Sequence, residues 1–201
     1  LLGTWGVAMA PTVVLDLEGA LPVSVQDPTT GRAGQAPQPL FFQIPAEQLN
    51  REDLMTAWLR RNINFGLAGG LTTSERGGVE VLALARTSGR TMRMPAAEAL
   101  MRPTPYDILQ MWPQSGGRVE TVALRLSGQL NTAFPEGRPA SEAPPEGAEA
   151  PLEATSTVDA PEDDTAPLTQ SVTPAQIVIV ADVDFRADDF FMDPQSGAPA
   201  A

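Results

Sequence analysis

Four consecutive branched aliphatics, Ile177 to Val180, are followed at once by Asp182 and Asp184, and then by Asp188 and Asp189. An apolar run of this length ending in acids predicts a buried strand that delivers polar groups to the end of a sheet. In open parallel sheets that edge is where ligands bind. What precedes the strand limits the fold further, because residues 139–167 hold six prolines and eight Asp or Glu but no Lys or Arg. A segment of that composition cannot bury enough apolar surface to offset its ordering entropy and is expected to be disordered. The expected organisation is therefore residues 1–135 as the first part of a domain, 136–173 as an acidic Pro-rich insertion, and 174–201 as the closing strand and a short helix of the same domain. Loop closure costs rise slowly with length, so the strand at 177–180 can still neighbour one at 119–126.

The 201 residues, 42% of them hydrophobic, suffice for one domain with a real core. The chain opens in mid-pattern with Leu1-Leu2-Gly3-Thr4-Trp5-Gly6, which reads as a piece of a larger protein. No window reaches the length of apolar sequence needed to cross a bilayer. Net charge is −12 and all thirteen basic residues are Arg, so no basic patch for nucleic acid or an anionic membrane stands out. Cys and His are absent, which removes disulfides, thiolate or imidazole metal sites and the usual nucleophile and base pairs.

Val13-Val14-Leu15, closed by Asp16-Leu17-Glu18-Gly19, predicts a short strand ending in acids. Pro- and Gly-rich residues 26–39 predict an exposed loop. Asn50 can cap a helix running to about Arg61 and packing through Leu54, Trp58 and Leu59, with Arg60 and Arg61 complementing its C-terminal dipole. Ile63 to Leu67 predicts a strand broken by Gly66, Gly69 and Gly70, and Val79 to Ala85 a clearer one. The polar turn Arg86-Thr87-Ser88-Gly89 follows, where hydroxyls and amides can hold a small anion. The glycine spacing of phosphate-binding loops is missing, which favours a structural turn. Thr104 as cap, Pro105 at the first helical position and Asp107 predict a helix over 105–112, stopped by Pro113. Residues 119–126 predict another strand. Together these elements predict an α/β fold of Rossmann-like or flavodoxin-like character, with a mixed or parallel sheet, flanking helices and part of the full domain absent.

Asp182 and Asp184 project to the same side of an extended chain and could coordinate Mg²⁺, which favours oxygen ligands. The motif resembles the first motif of haloacid-dehalogenase-type phosphatases and the Asp-X-Asp of nucleotide-sugar glycosyltransferases. The phosphatase comparison fails in context, because the motif lies seventeen residues from the end and there is no Lys. The transferase comparison lacks the sugar-binding region expected after the motif. A structural role weighs more: Asp188 caps a helix through Asp189, Phe190 and Phe191, while Asp182 or Asp184 accept loop amides or pair with Arg186. Phe185, Phe190 and Phe191 then pack under the sheet. The candidate ligand or partner edge comprises Asp16, Thr87, Ser88, Asp182, Asp184 and Asp188, with no catalytic residue, metal ligand or cofactor expected. The alternative is a divalent-metal-dependent enzyme built on the Asp-X-Asp.

Several segments in order resemble one family. These are Leu1-Leu2-Gly3-Thr4-Trp5-Gly6-Val7 leading to Val13-Val14-Leu15-Asp16, the segment 65–71, and Thr87-Ser88. They continue with the run from Leu126 to Pro135 and with Val180-Ala181-Asp182-Val183-Asp184-Phe185 followed by Asp188-Asp189-Phe190. This set resembles the gliding-motility GldG-like auxiliary components of ABC transport systems. The resemblance implies a periplasmic or otherwise extracytoplasmic α/β domain, of the kind related to intraflagellar-transport proteins, carried on a bacterial inner-membrane protein. It also implies an ABC permease and ATPase as partners and a non-enzymatic accessory role.

Overall fold

A computed structural model describes residues 1–27, 29–114, 117–136 and 168–184. After a 3-10 turn at Leu2–Trp5 the order is β1 (Val7–Asp16), β2 (Ala20–Gln26), β3 (Ala33–Ile44), β4 (Ile63–Gly66), β5 (Gly69–Thr73), β6 (Val79–Arg86) and β7 (Thr91–Pro95). Two short helices follow, α1 (Ala96–Ala99) and α2 (Pro105–Met111), then β8 (Thr121–Gly128) and β9 (Ala175–Val180). One sheet runs β6-β8-β5-β1-β7 with β9 also paired to β8, and a three-stranded sheet runs β2-β3-β4.

The mixed or parallel Rossmann-like sheet is not what forms: every pairing among the described strands is antiparallel. The aliphatic run in β9 was the source of that expectation, since parallel strands are covered on both faces. In the structure β9 alternates instead. Ile177 and Ile179 pack against the Val7, Leu71, Leu124 and Leu126 cluster, while Val178 is exposed. The short connection between Gln26 of β2 and Ala33 of β3 joins antiparallel neighbours and leaves no room for a crossover helix.

Two further expectations are overturned. Residues 26–39 are a loop only around Asp27, whose Oδ1 accepts the Thr29 and Thr30 amides at 2.7 and 2.9 Å. From Ala33 the chain is strand β3, with Ala36, Gln38, Leu40, Phe42 and Ile44 buried on alternate positions. Its prolines are tolerated because Pro37 faces Pro22 across the ladder and the β2–β3 register shifts beside Pro39. Residues 51–58 are bends and turns rather than a helix, and Leu54, Trp58 and Leu59 are exposed. The would-be cap Asn50 donates its side chain to the Ala83 carbonyl of β6, and Asp53 turns inward, so side-chain bonding wins over a helical turn.

Helix α2 forms as its sequence dictates. Thr104 and Asp107 complete a reciprocal capping box with Pro105 in the first turn, and Ile108 is fully buried against Leu15 and Leu40. The two sheets share their cores. Phe42 and Phe65 of the small sheet stack with centroids 5.6 Å apart and pack with Leu84, Ala85, Val122 and Ala123 of the large one. The ends of the acidic segment lie together: Asn131 bridges Gln170, the Thr132 amide bonds the Thr169 carbonyl at 2.9 Å, and Ser171 bonds Leu130 at 2.8 Å. Residues 137–167, expected to be disordered, lie outside the described residues.

Phe42→Ala removes a fully buried ring from the seam between the sheets and is expected to lower unfolding free energy by about 3–5 kcal/mol, measured by denaturant titration. A loss below about 1 kcal/mol would mean that the seam is not a packed core.

Candidate functional site

Asp16 closes β1 and is almost fully buried. Its Oδ2 accepts the Ser88 amide at 2.7 Å, and its Oδ1 accepts the Ser88 hydroxyl at 2.5 Å and the Glu18 and Gly19 amides at 3.1 and 3.3 Å. The structure therefore joins two of the residues singled out in the sequence, 72 positions apart. Thr87 stands beside them but looks the other way, its Oγ1 accepting the Glu120 amide at 2.8 Å while the Thr87 amide donates to the Glu120 carbonyl at 2.9 Å.

Glu120, just before β8, brings in residues that no sequence spacing marked. Its buried carboxylate receives Arg93 from β7 in a two-pronged pair, Nε to Oε1 at 2.9 Å and Nη2 to Oε2 at 2.7 Å, and Arg118 Nε at 2.7 Å. Arg93 passes over β5 to get there. A Cβ at Gly70 would stand 2.7 Å from its Nη2 and 3.1 Å from Val14 Cγ2, so glycine leaves the space for the guanidinium. Burial pushes the Glu120 carboxyl up, but the hydrogen bonds and charges of Arg93 and Arg118 outweigh it and hold the group below the usual Glu range. A cavity of about 330 Å³ opens beside this pair, lined by Thr91, Met92, Arg93, Pro113, Arg118 and Glu120. A second of about 230 Å³ shares Thr91 and Pro113 and adds Arg90 and Trp112. A carboxylate held by two guanidiniums is a poor proton acceptor, whereas the partly exposed Arg118 can meet an acidic group.

Asp182 belongs to a different part of the fold. Its Oδ2 accepts the Gly66 amide at 2.7 Å and its Oδ1 accepts the Asp184 amide at 2.7 Å, so the first acid of the Asp-X-Asp is bound to the backbone of its own chain. Among the described residues no group of three or more Asp or Glu is arranged to hold a metal ion. Asp188, the helix it was expected to cap, and Phe185, Phe190 and Phe191 lie outside the described residues.

A family model for auxiliary components of an ABC-type uncharacterized transport system matches residues 1–200. The chain belongs to that family. No curated protein and no solved structure matches it. Among the described residues no helix is long and apolar enough to cross a membrane.

The Glu120 cluster has a signed pH dependence. Because the folded carboxyl titrates below its unfolded value, its stabilisation is fully present above the usual Glu range and is lost as pH falls through the lowered folded value. Glu120→Gln is expected to destabilise by about 1–3 kcal/mol at neutral pH, with the gap to wild type narrowing as the solution is acidified. Melting temperatures across that range check it, and a gap independent of pH contradicts it.

Proposed function

We propose that this chain is a non-enzymatic accessory domain, acting as a scaffold or ligand-binding module on the extracytoplasmic side of an ABC-type export or motility system. The single observation that carries the reading is the family match over residues 1–200. The ordered GldG-like segments are compatible with it, and the bacterial inner-membrane setting follows from the same resemblance. Partners in this reading are the permease and ATPase, reached through the full-length membrane protein.

Geometry supports a holding rather than a reacting role. Asp16 and Asp182 both accept hydrogen bonds from their own chain, and Glu120 is held by two arginines. In this proposal Asp16, Thr87 and Ser88 shape one partner-facing edge, and Asp182 with Asp184 and Asp188 shapes a second. Residues 1–135 and 174–201 form one domain with 136–173 as its insertion, a division supported by the β8–β9 ladder and the closed base at Asn131 and Gln170.

Affinity purification of the full-length protein from native membranes is expected to recover an ATP-binding subunit and a membrane-spanning subunit. Repeated recovery without either would overturn the accessory reading. Calorimetric titration with Mg²⁺ or Mn²⁺ is expected to show no site. Millimolar or tighter binding abolished by Asp182→Asn would favour a metal-dependent enzyme instead.

A further inference from the structure

In a chain whose net charge is −12, three arginines converge between β7 and the segment leading into β8. Arg93 and Arg118 line the cavity beside Glu120, and Arg90 lines the one that adjoins it across Thr91 and Pro113. Glu120 is the one acid among the described lining residues, so the local balance is positive.

The donors of these arginines are only partly used. Against Glu120, Arg93 engages Nε and Nη2 and Arg118 engages Nε. Among the described residues, Arg93 Nη1 and both Nη nitrogens of Arg118 meet no acceptor, and no side-chain nitrogen of Arg90 does. Arg90 is nevertheless fixed by its backbone: its amide donates to Ser88 Oγ at 3.0 Å, and its carbonyl accepts the Leu17 amide at 3.0 Å. Ser88 is in turn held by Asp16. The opposite wall is drawn in by Thr91 Oγ1, which donates to the Arg118 carbonyl and accepts the Arg118 amide at 3.1 Å. A Cβ at Gly117 would collide with the Gly89 carbonyl and stand 2.7 Å from the Thr91 nitrogen, so glycine permits this close approach.

We propose that the two cavities form one site for a compact ligand that carries an oxyanion, a carboxylate or a phosphate, on a flat apolar body. A guanidinium fork matches both oxyanions and binds them with charge-assisted hydrogen bonds. Glu120 is the positioning residue: its buried carboxylate occupies the inner nitrogens of two guanidiniums and leaves the outer ones to the ligand. Trp112, half-buried against the core around Ile108, supplies with Pro113 an apolar wall for a ring. Volumes of about 330 and 230 Å³ suit a small molecule. The chain's overall charge repels an extended polyanion, whereas a single compact anion meets the local excess of arginine. The site deepens the ligand-binding half of the accessory reading and rests on it.

The test is calorimetric titration of the 201-residue chain at low salt with phenyl phosphate and benzoate, and with inorganic phosphate and acetate as their counterparts without a ring. At least one ring compound is expected to saturate in the millimolar range and to bind about tenfold more tightly than its counterpart, because only the ring reaches Trp112. Whichever ring compound binds more tightly identifies the oxyanion. Arg90→Gln is expected to weaken that binding about tenfold, and Arg90→Glu to abolish it, both with an unchanged melting temperature because the side chain is exposed. No saturable binding of either ring compound, affinity no better than that of the ringless anions, or binding unaffected by both Arg90 variants would each overturn the proposal. Recovery of transporter subunits is independent of these titrations, so failure of the site is distinguishable from failure of the accessory reading.

Discussion

The fold depends on the way the chain's last described strand is wedged into the large sheet. Past the end of β9, the Ala181 amide bonds Val122 of β8 at 2.9 Å, and the Ala181 carbonyl accepts the Gly69 amide of β5 at 2.7 Å. One residue later, Asp182 Oδ2 takes the Gly66 amide, across 116 positions of sequence. Gly66 ends the small sheet and Gly69 begins the large one, with Leu67 between them in a left-handed conformation at φ 57°. Asp182 thus fastens the hinge at which the chain passes from one sheet to the other. Leaving that buried amide unpaired would cost about 1–3 kcal/mol, comparable to a core methyl or two.

Two other charge-based fastenings follow the same logic of joining elements that their own hydrogen-bond ladders leave apart. Arg93 reaches from β7 over Gly70 to Glu120 at the entrance of β8, and Arg125 of β8 meets Asp53 under the 51–59 loop. Between them, the buried acids Asp16, Asp53, Glu120 and Asp182 each hold a connection in place. This is why carboxylates at strand ends, which in another setting would suggest catalysis, here are occupied by amides and guanidiniums.

Much of this was legible residue by residue. The Thr104–Asp107 capping box and the strands at Ile63–Gly66, Val79–Arg86 and Ala175–Val180 all follow from local patterns. The direction of the strands was not legible, because a run of aliphatics is compatible with burial on two faces or with alternation on one. β3 was hidden by its prolines, although Ala36, Gln38, Leu40, Phe42 and Ile44 repeat every second position. The helix at 51–61 was favoured by capping propensity and lost to Asn50 and Asp53 bonding across to β6 and β8, contacts set by tertiary structure. Glu120, Arg93 and Arg118 meet only because Arg93 crosses the face of the sheet from β7, over Gly70 of β5, to the start of β8, which nothing in their spacing announces.

The central claim is that Asp182 locks the passage between the sheets. Hydrogen exchange resolved to single amides, comparing wild type with Asp182→Ala, tests it most directly. The account predicts faster exchange at Gly66 and Gly69 and at the Ala181 amide, while the β2–β3 ladder keeps its protection. Unchanged exchange at Gly66 and Gly69 in the variant would contradict it.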